Sequence, residues 1–241
     1  MRKYLQAPHP FVLLPPLDGK THYEPGELLA FDLTLIGRGS DFLPYFIYTF
    51  ERLGARRGLG RGRGRFAVEE VLWLEPNGGE VSIYQGSTNV LTHAYHAATV
   101  QDLALPVLPV NVVALQFLTP TRIVFAEHLA TTMDFHILIR SLLRRLSNLA
   151  YFHRGTALEI DFRAIIAEAQ TINTMTQDLR WYDWERYSSR QDVRMQLGGV
   201  VGRVTYSGNL EPFLPLLRLG EFLHVGKGTS FGLGKYMLEP A

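Results

Sequence analysis

The chain repeats part of itself, and this limits what it can fold into more than any other feature. Leu33-Thr34-Leu35-Ile36-Gly37, followed by Phe42-Leu43-Pro44, recurs as Val204-Thr205-Tyr206-Ser207-Gly208, followed by Phe213-Leu214-Pro215, at a constant offset of 171. Further on, Gly62-Arg63-Gly64-Arg65-Phe66 is answered by Gly232-Leu233-Gly234-Lys235-Tyr236 at an offset of 170. Self-similarity of this kind marks a duplicated structural unit. Each copy predicts a strand, a helix, a glycine-rich loop and a second strand. In the first copy Leu28 to Ile36 is apolar and β-leaning, Phe42 to Leu53 carries a helical apolar face with Pro44 in its first turn, and Phe66 to Leu74 returns as a strand. In the second copy the corresponding segments are Val200 to Tyr206, Glu211 to Leu219 and Lys235 to Leu238.

More chain precedes the second copy. Val110 to Phe125 reads as a strand or bent hairpin, and Met133 to His153 as a helix with Phe135, Leu138, Leu142, Leu146 and Leu149 on its core side. Residues 162 to 170 add a short helix, and Arg180 to Arg186 pairs with Val193 to Tyr206 around Ser188-Ser189. The order β-α-β-β-α-β is the ferredoxin-like arrangement. Upstream of Leu28 there is one short apolar segment, Phe11 to Leu14, with no room for an opening strand and helix. The expected class is therefore α+β, with tandem ferredoxin-like, RRM-like domains at 1–105 and 106–241, the first one incomplete at its N-terminus. On this reading the chain starts inside its first domain.

With 241 residues and no cysteine, the chain has no disulfide scaffold, zinc-thiolate site or thiol nucleophile. The most apolar window, Val100 to Leu118, is interrupted by Gln101, Asp102, Pro106, Pro109 and Asn111, so no membrane helix is expected. Prolines 8, 10, 15 and 16 break any signal-peptide core, and a cytoplasmic protein is expected. Net charge is only +1, but its distribution is uneven: seven arginines and two acids, Asp41 and Glu51, lie between Arg38 and Arg65. Arginine density suits phosphate and aromatic stacking, and so points to nucleic acid.

Several apparent motifs fail on context. Gly58 to Gly64 does not complete G-x-G-x-x-G, because arginine falls in the last place and the run follows a helix rather than a strand. Gly228-Thr229-Ser230-Phe231-Gly232 matches G-x-S-x-G, yet too little chain follows for the required helix and no histidine lies downstream. His93 and His96 lack a third ligand nearby, so no metal site and no cofactor are expected. His136, Arg140 and Arg144 share one polar stripe of the long helix. His224, just before Gly226, stands at the second glycine loop. The features that survive are the two loops with their basic residues: Arg56, Arg57, Arg61, Arg63 and Arg65 in one, Lys227 and Lys235 in the other. Glycine lets backbone N–H groups approach a phosphate, and the arginines supply charge.

Gly226 to Gly234, directly before the last strand of a ferredoxin-like domain, resembles the C-terminal glycine-rich loop of the RAMP proteins of CRISPR systems. Within that superfamily, Asp32 to Phe66 and Trp184 to Tyr236 resemble the precursor-crRNA-processing endoribonuclease, the Cas-six family. The resemblance implies metal-independent cleavage of CRISPR repeat RNA, in which the ribose 2′-OH attacks the adjacent phosphate to give a 2′,3′-cyclic phosphate and a 5′-OH. It also implies RNA contacts at Arg56, Arg57, Arg61, Arg63 and Arg65, at Arg186 and Arg190, and at Gly226, Lys227, Gly228, Gly232, Gly234 and Lys235. Other Cas proteins and a second copy of the chain are further candidate partners. In many members the catalytic histidine lies at the first helix of the N-terminal domain, and no residue here matches it. That leaves His224 and His136 as candidates. The alternative function is a non-catalytic RAMP subunit that holds crRNA in an effector complex. A third reading is a structural protein that associates through an incomplete N-terminal sheet.

Overall fold

The computed structural model describes residues 7–76, 78–103, 111–183, 185–188 and 193–240, with backbone only from 185 to 196. The chain divides into two units, one made of residues up to 34 together with those from 105 onward, the other of residues 35–104.

The first unit is built on a four-stranded antiparallel sheet of β6 (Val112–Thr121), β9 (Asn173–Tyr182), β12 (Gly199–Ser207) and β13 (Tyr236–Pro240), in the order β13-β6-β12-β9. Its helices are α2 (Phe135–His153) and α4 (Leu214–Leu223), with α3 (Phe162–Ala169) between α2 and β9. Read along the chain, this is the expected β-α-β-β-α-β. Alternation puts Val113, Leu115 and Phe117 of β6 on one face of the sheet, where they are buried with Leu138 and Leu142 of α2 and Leu217 of α4. Phe135 meets Tyr206 and Phe213 edge-on at 5.0 Å each, and the Tyr206 and Tyr236 hydroxyls donate to the carbonyls of Met133 and Leu217, both at 2.6 Å. These bonds satisfy two fully buried phenols. Asp161 caps α3 by accepting from the N–H groups of Arg163 and Ala164 at 3.0 Å.

Two hairpins leave this sheet. β7 (Val124–Phe125) and β8 (His128–Leu129) are joined by Ala126 and Glu127, both at positive φ. β10 (Glu185–Ser188) pairs with β11 (Val193–Gln196). The strand expected from Arg180 begins at Asn173, because β9 forms its full ladder with β12 while remaining exposed along most of its length. β1 (Phe11–Leu14) pairs with β2 (Asp32–Leu35), and Val12 and Leu14 of β1 are buried. The short apolar segment Phe11 to Leu14 is thus a paired strand, and no helix stands between it and β2.

The second unit holds α1 (Leu43–Arg56) and a three-stranded sheet of β3 (Glu70–Leu74), β4 (Glu80–Gln85) and β5 (Val90–Leu91). The duplication is visible in its local geometry. A 3-10 turn at Gly37–Phe42 runs into α1 with Pro44 in the first turn, just as the turn at Glu211–Phe213 runs into α4 with Pro215. Ile47 and Gly54 mark the buried face of α1, and Gly54 lies against Phe66.

Candidate nucleic-acid interface

The two glycine loops occupy equivalent places in sequence, yet they are built differently. After α1 the N–H groups of Arg57 and Gly58 both donate to the Leu53 carbonyl, at 2.9 and 2.8 Å. Gly58 takes φ +72, and a Cβ there would lie 2.2 Å from the Arg63 carbonyl oxygen, so this helix stop requires glycine. Leu59 and Gly64 then exchange two backbone hydrogen bonds of 2.9 Å, and the Arg63 N–H donates to the Gly60 carbonyl at 3.2 Å, closing a tight hairpin tip. Arg61 and Arg63 stand on the tip, and Arg65 donates to the Ala55 carbonyl at the end of α1. Arg56, Arg57, Arg61, Arg63 and Arg65 are all exposed. Among the described residues none of them makes an ion pair. The arrangement is an arginine cluster without ion-pair partners among the described residues, carried on a hydrogen-bonded hairpin.

The terminal loop is a packed structure. Its glycines fit where backbone meets backbone: a Cβ at Gly234 would lie 1.9 Å from the Val225 carbonyl oxygen, and one at Gly232 would meet Leu13, Leu14 and Pro15 of the segment carrying β1. Thr119 of β6 stitches the loop down, donating to the Gly232 carbonyl and accepting from the Lys235 N–H, both at 2.8 Å. Gly226 and Gly228 lie partly covered at its start, where the Lys227 N–H donates to the Arg122 carbonyl at 2.8 Å. Lys227 is exposed. Lys235 is half-buried, its ammonium 2.9 Å from the Glu221 carbonyl, and burial lowers its pKa. Only part of this loop can therefore present charge to a ligand.

His224 is 2% exposed and holds φ 59, ψ 169 at the end of α4. Its Nδ1 donates to the Leu233 carbonyl at 3.1 Å, and burial, with Lys235 beside it, pulls the imidazole down to about 4. His136 is half-buried, edge-on to Phe125 at 5.6 Å, and the Arg140 guanidinium lies 5.8 Å from the same ring. Arg140 and Arg144 are exposed beyond it. The backbone of Arg186 pairs with Met195 in the β10–β11 hairpin, and Arg190 lies outside the described residues. His96 packs edge-on against Trp73 at 4.6 Å. Among the described residues, no three of His, Asp and Glu gather as a metal site would require, and no helix is long and apolar enough to cross a membrane.

Sequence reasoning missed one surface. Phe42, the residue that leads into α1, continues the stripe of Tyr45, Tyr48, Arg52 and Arg56 on that helix, opposite Ile47 and Gly54, and the three rings are 54%, 68% and 58% exposed. The spacing was legible, but tyrosine and phenylalanine at helical intervals read as core.

The sheet order, the two covering helices and the antiparallel pairing define a ferredoxin-like α+β protein, a class that holds many RNA-binding domains. The model of the family described as CRISPR-associated endoribonuclease Cas6 matches residues 115–236, and a family described as an N-terminal domain matches residues 1–96. The chain belongs to the Cas6 family of CRISPR-associated endoribonucleases. Among curated proteins none matches significantly. Among solved structures, a Thermus thermophilus Cas6 is similar over 95% of this chain and 79% of its own, at 19% identity and a TM-score of 0.53. A Cas6 solved as a product complex is similar over 97% and 84%, at 20% identity and a TM-score of 0.53. A partial Cas6-RT-Cas1–Cas2 complex is similar over 97% of this chain and 39% of its own, at 16% identity and a TM-score of 0.59. At these identities the likeness is one of fold, the double ferredoxin-like fold of Cas6.

Proposed function

We propose that this chain cleaves CRISPR repeat RNA in precursor transcripts and grips the RNA backbone through the arginine hairpin. The observation that carries the reading is that hairpin: five exposed arginines without ion-pair partners among the described residues, presented by a Cas6-family chain. Phosphate contacts of this kind position RNA without reading its sequence. In the reaction we infer, the ribose 2′-OH attacks the adjacent phosphorus while the bond to the departing 5′-oxygen breaks. The products are a 2′,3′-cyclic phosphate and a 5′-OH, so the water-free step conserves all atoms. Basic groups stabilise the charge that gathers on the phosphorane, and a histidine moves the proton.

Of the two candidates, His136 fits the proton-transfer role better. It keeps solvent contact and shares Phe125 with Arg140, whereas His224 is sealed beneath the terminal loop. We assign His224 to holding that loop. The other Cas proteins in one matched assembly make Cas partners part of the proposal.

The test mixes the full chain with repeat RNA in EDTA and analyses the product ends. A 2′,3′-cyclic phosphate is expected, with no cleavage when the reacting ribose is 2′-deoxy and slower cleavage by His136→Gln at unchanged affinity. Tight binding without a cyclic product overturns the nuclease reading and leaves a subunit that holds guide RNA uncut.

A further inference from the structure

The exposed stripe of α1 continues toward the arginine hairpin within one unit of the fold. At 1.5 Å per residue, Tyr45 to Arg56 spans about 16 Å along the helix, room for a few nucleotides of extended single strand. The rings form a series: Phe42 and Tyr45 are 6.1 Å apart, and the Arg52 guanidinium lies 5.7 Å from the Tyr48 ring. The Thr49 hydroxyl beside them is spent on the helix itself, donating to the Tyr45 carbonyl at 2.6 Å. Three large aromatic rings left more than half exposed on one helix face carry a solvation cost that a monomer has no reason to keep.

Charge decides what would cover them. From Phe42 to Arg65 there are six arginines and one acid, Glu51, and Glu51, which lines a small cavity beside Tyr48, accepts a hydrogen bond from the Tyr84 hydroxyl. A protein surface offered to this patch would have to be strongly acidic, and a second copy of the chain would bring the same six cations against each other. A nucleic-acid strand supplies phosphates for the arginines and flat bases for the rings. Tyrosine faces and an arginine plane accept any base, so the surface suits an unpaired stretch rather than a duplex, whose bases are already stacked.

We propose that the α1 stripe of Phe42, Tyr45, Tyr48 and Arg52 is a stacking platform for unpaired nucleotides of the RNA whose backbone the adjoining hairpin holds. The inference rests on the RNA reading of that hairpin and adds to it a site for single-stranded sequence.

The probes are a fluorescent oligoadenylate and a blunt RNA duplex, both tested against the full chain. Replacing Tyr45→Ala and Tyr48→Ala together is expected to weaken oligoadenylate binding about tenfold per ring removed, to leave duplex binding within about twofold, and to leave thermal stability unchanged, because both rings are exposed. Tyr45→Phe with Tyr48→Trp is expected to restore binding, since it keeps the stacking faces. Equal oligoadenylate affinity for wild type and the alanine variant overturns the platform, as does a wild-type chain that self-associates through these rings and becomes monomeric when they are removed. The two readings separate cleanly. If repeat RNA is not cut but oligoadenylate binding still depends on the rings, the nuclease reading alone falls; if repeat RNA is cut and the rings do not matter, the platform alone falls.

Discussion

His224 shows how a single residue at a candidate site can be committed to structure. Its φ of 59 and ψ of 169 lie in a region that costs non-glycine residues on the order of 1–3 kcal/mol. The backbone N–H donating to Gly220 at 2.8 Å and the ring bond to Leu233 hold it there. The buried ring stays neutral down to about 4, whereas in the unfolded chain it takes up a proton near its ordinary value of 6.5. Between those values the unfolded state therefore binds the extra proton, and stability falls as pH drops from 6.5 towards 4, by up to about 1.4 kcal/mol per unit from this group. Denaturant midpoints measured at pH 7 and pH 5 should fall less steeply for His224→Gly, which also relieves the backbone, than for wild type. Parallel slopes would count against a neutral buried ring. The sequence placed His224 beside the loop correctly, but distance along a chain does not reveal whether a ring faces solvent.

At the scale of the element, the two glycine loops differ in why they contain glycine. Gly62 has open space around it on the hairpin, whereas Gly234 combines φ +74 with a carbonyl where its Cβ would go. Gly62→Ala should change stability by no more than about 0.5 kcal/mol, and Gly234→Ala should cost about 2 kcal/mol or more, read from denaturant melts. The same contrast explains how much was legible. Both helix starts followed from the repeat, because a proline in the first turn and apolar spacing are local signals, and the structure reproduces even the preceding 3-10 turns. β9 was caught only at its end. It is an edge strand exposed on most of both faces, so Thr174, Thr176, Gln177 and Asp178 carry no alternation, and only the register with β12 makes them a strand. The hairpin arginines could be read because they stand in water; Lys235 could not, because its bond to Glu221 is made across the fold.

For the whole molecule, net charge is a poor guide to its affinity for RNA. A balance of +1 predicts little, but the arginines clustered after α1 act within about 10 Å at ordinary salt and are not averaged with distant acids. Replacing Arg61, Arg63 and Arg65 together by alanine should weaken RNA binding and flatten the plot of log affinity against log salt by about 0.7 for each phosphate that is no longer neutralised. An unchanged slope would place the RNA elsewhere. The strand β1 has a consequence of another kind. Val12 and Leu14 are buried, and the segment carrying them lies against Gly232, so residues far apart along the chain complete one another. At about 5–20 residues per second, those two side chains are made early and wait roughly ten seconds or longer for their cover to be synthesised. Folding of that unit thus waits on translation, and a nascent chain must carry an uncovered apolar strand until the region around Gly232 emerges.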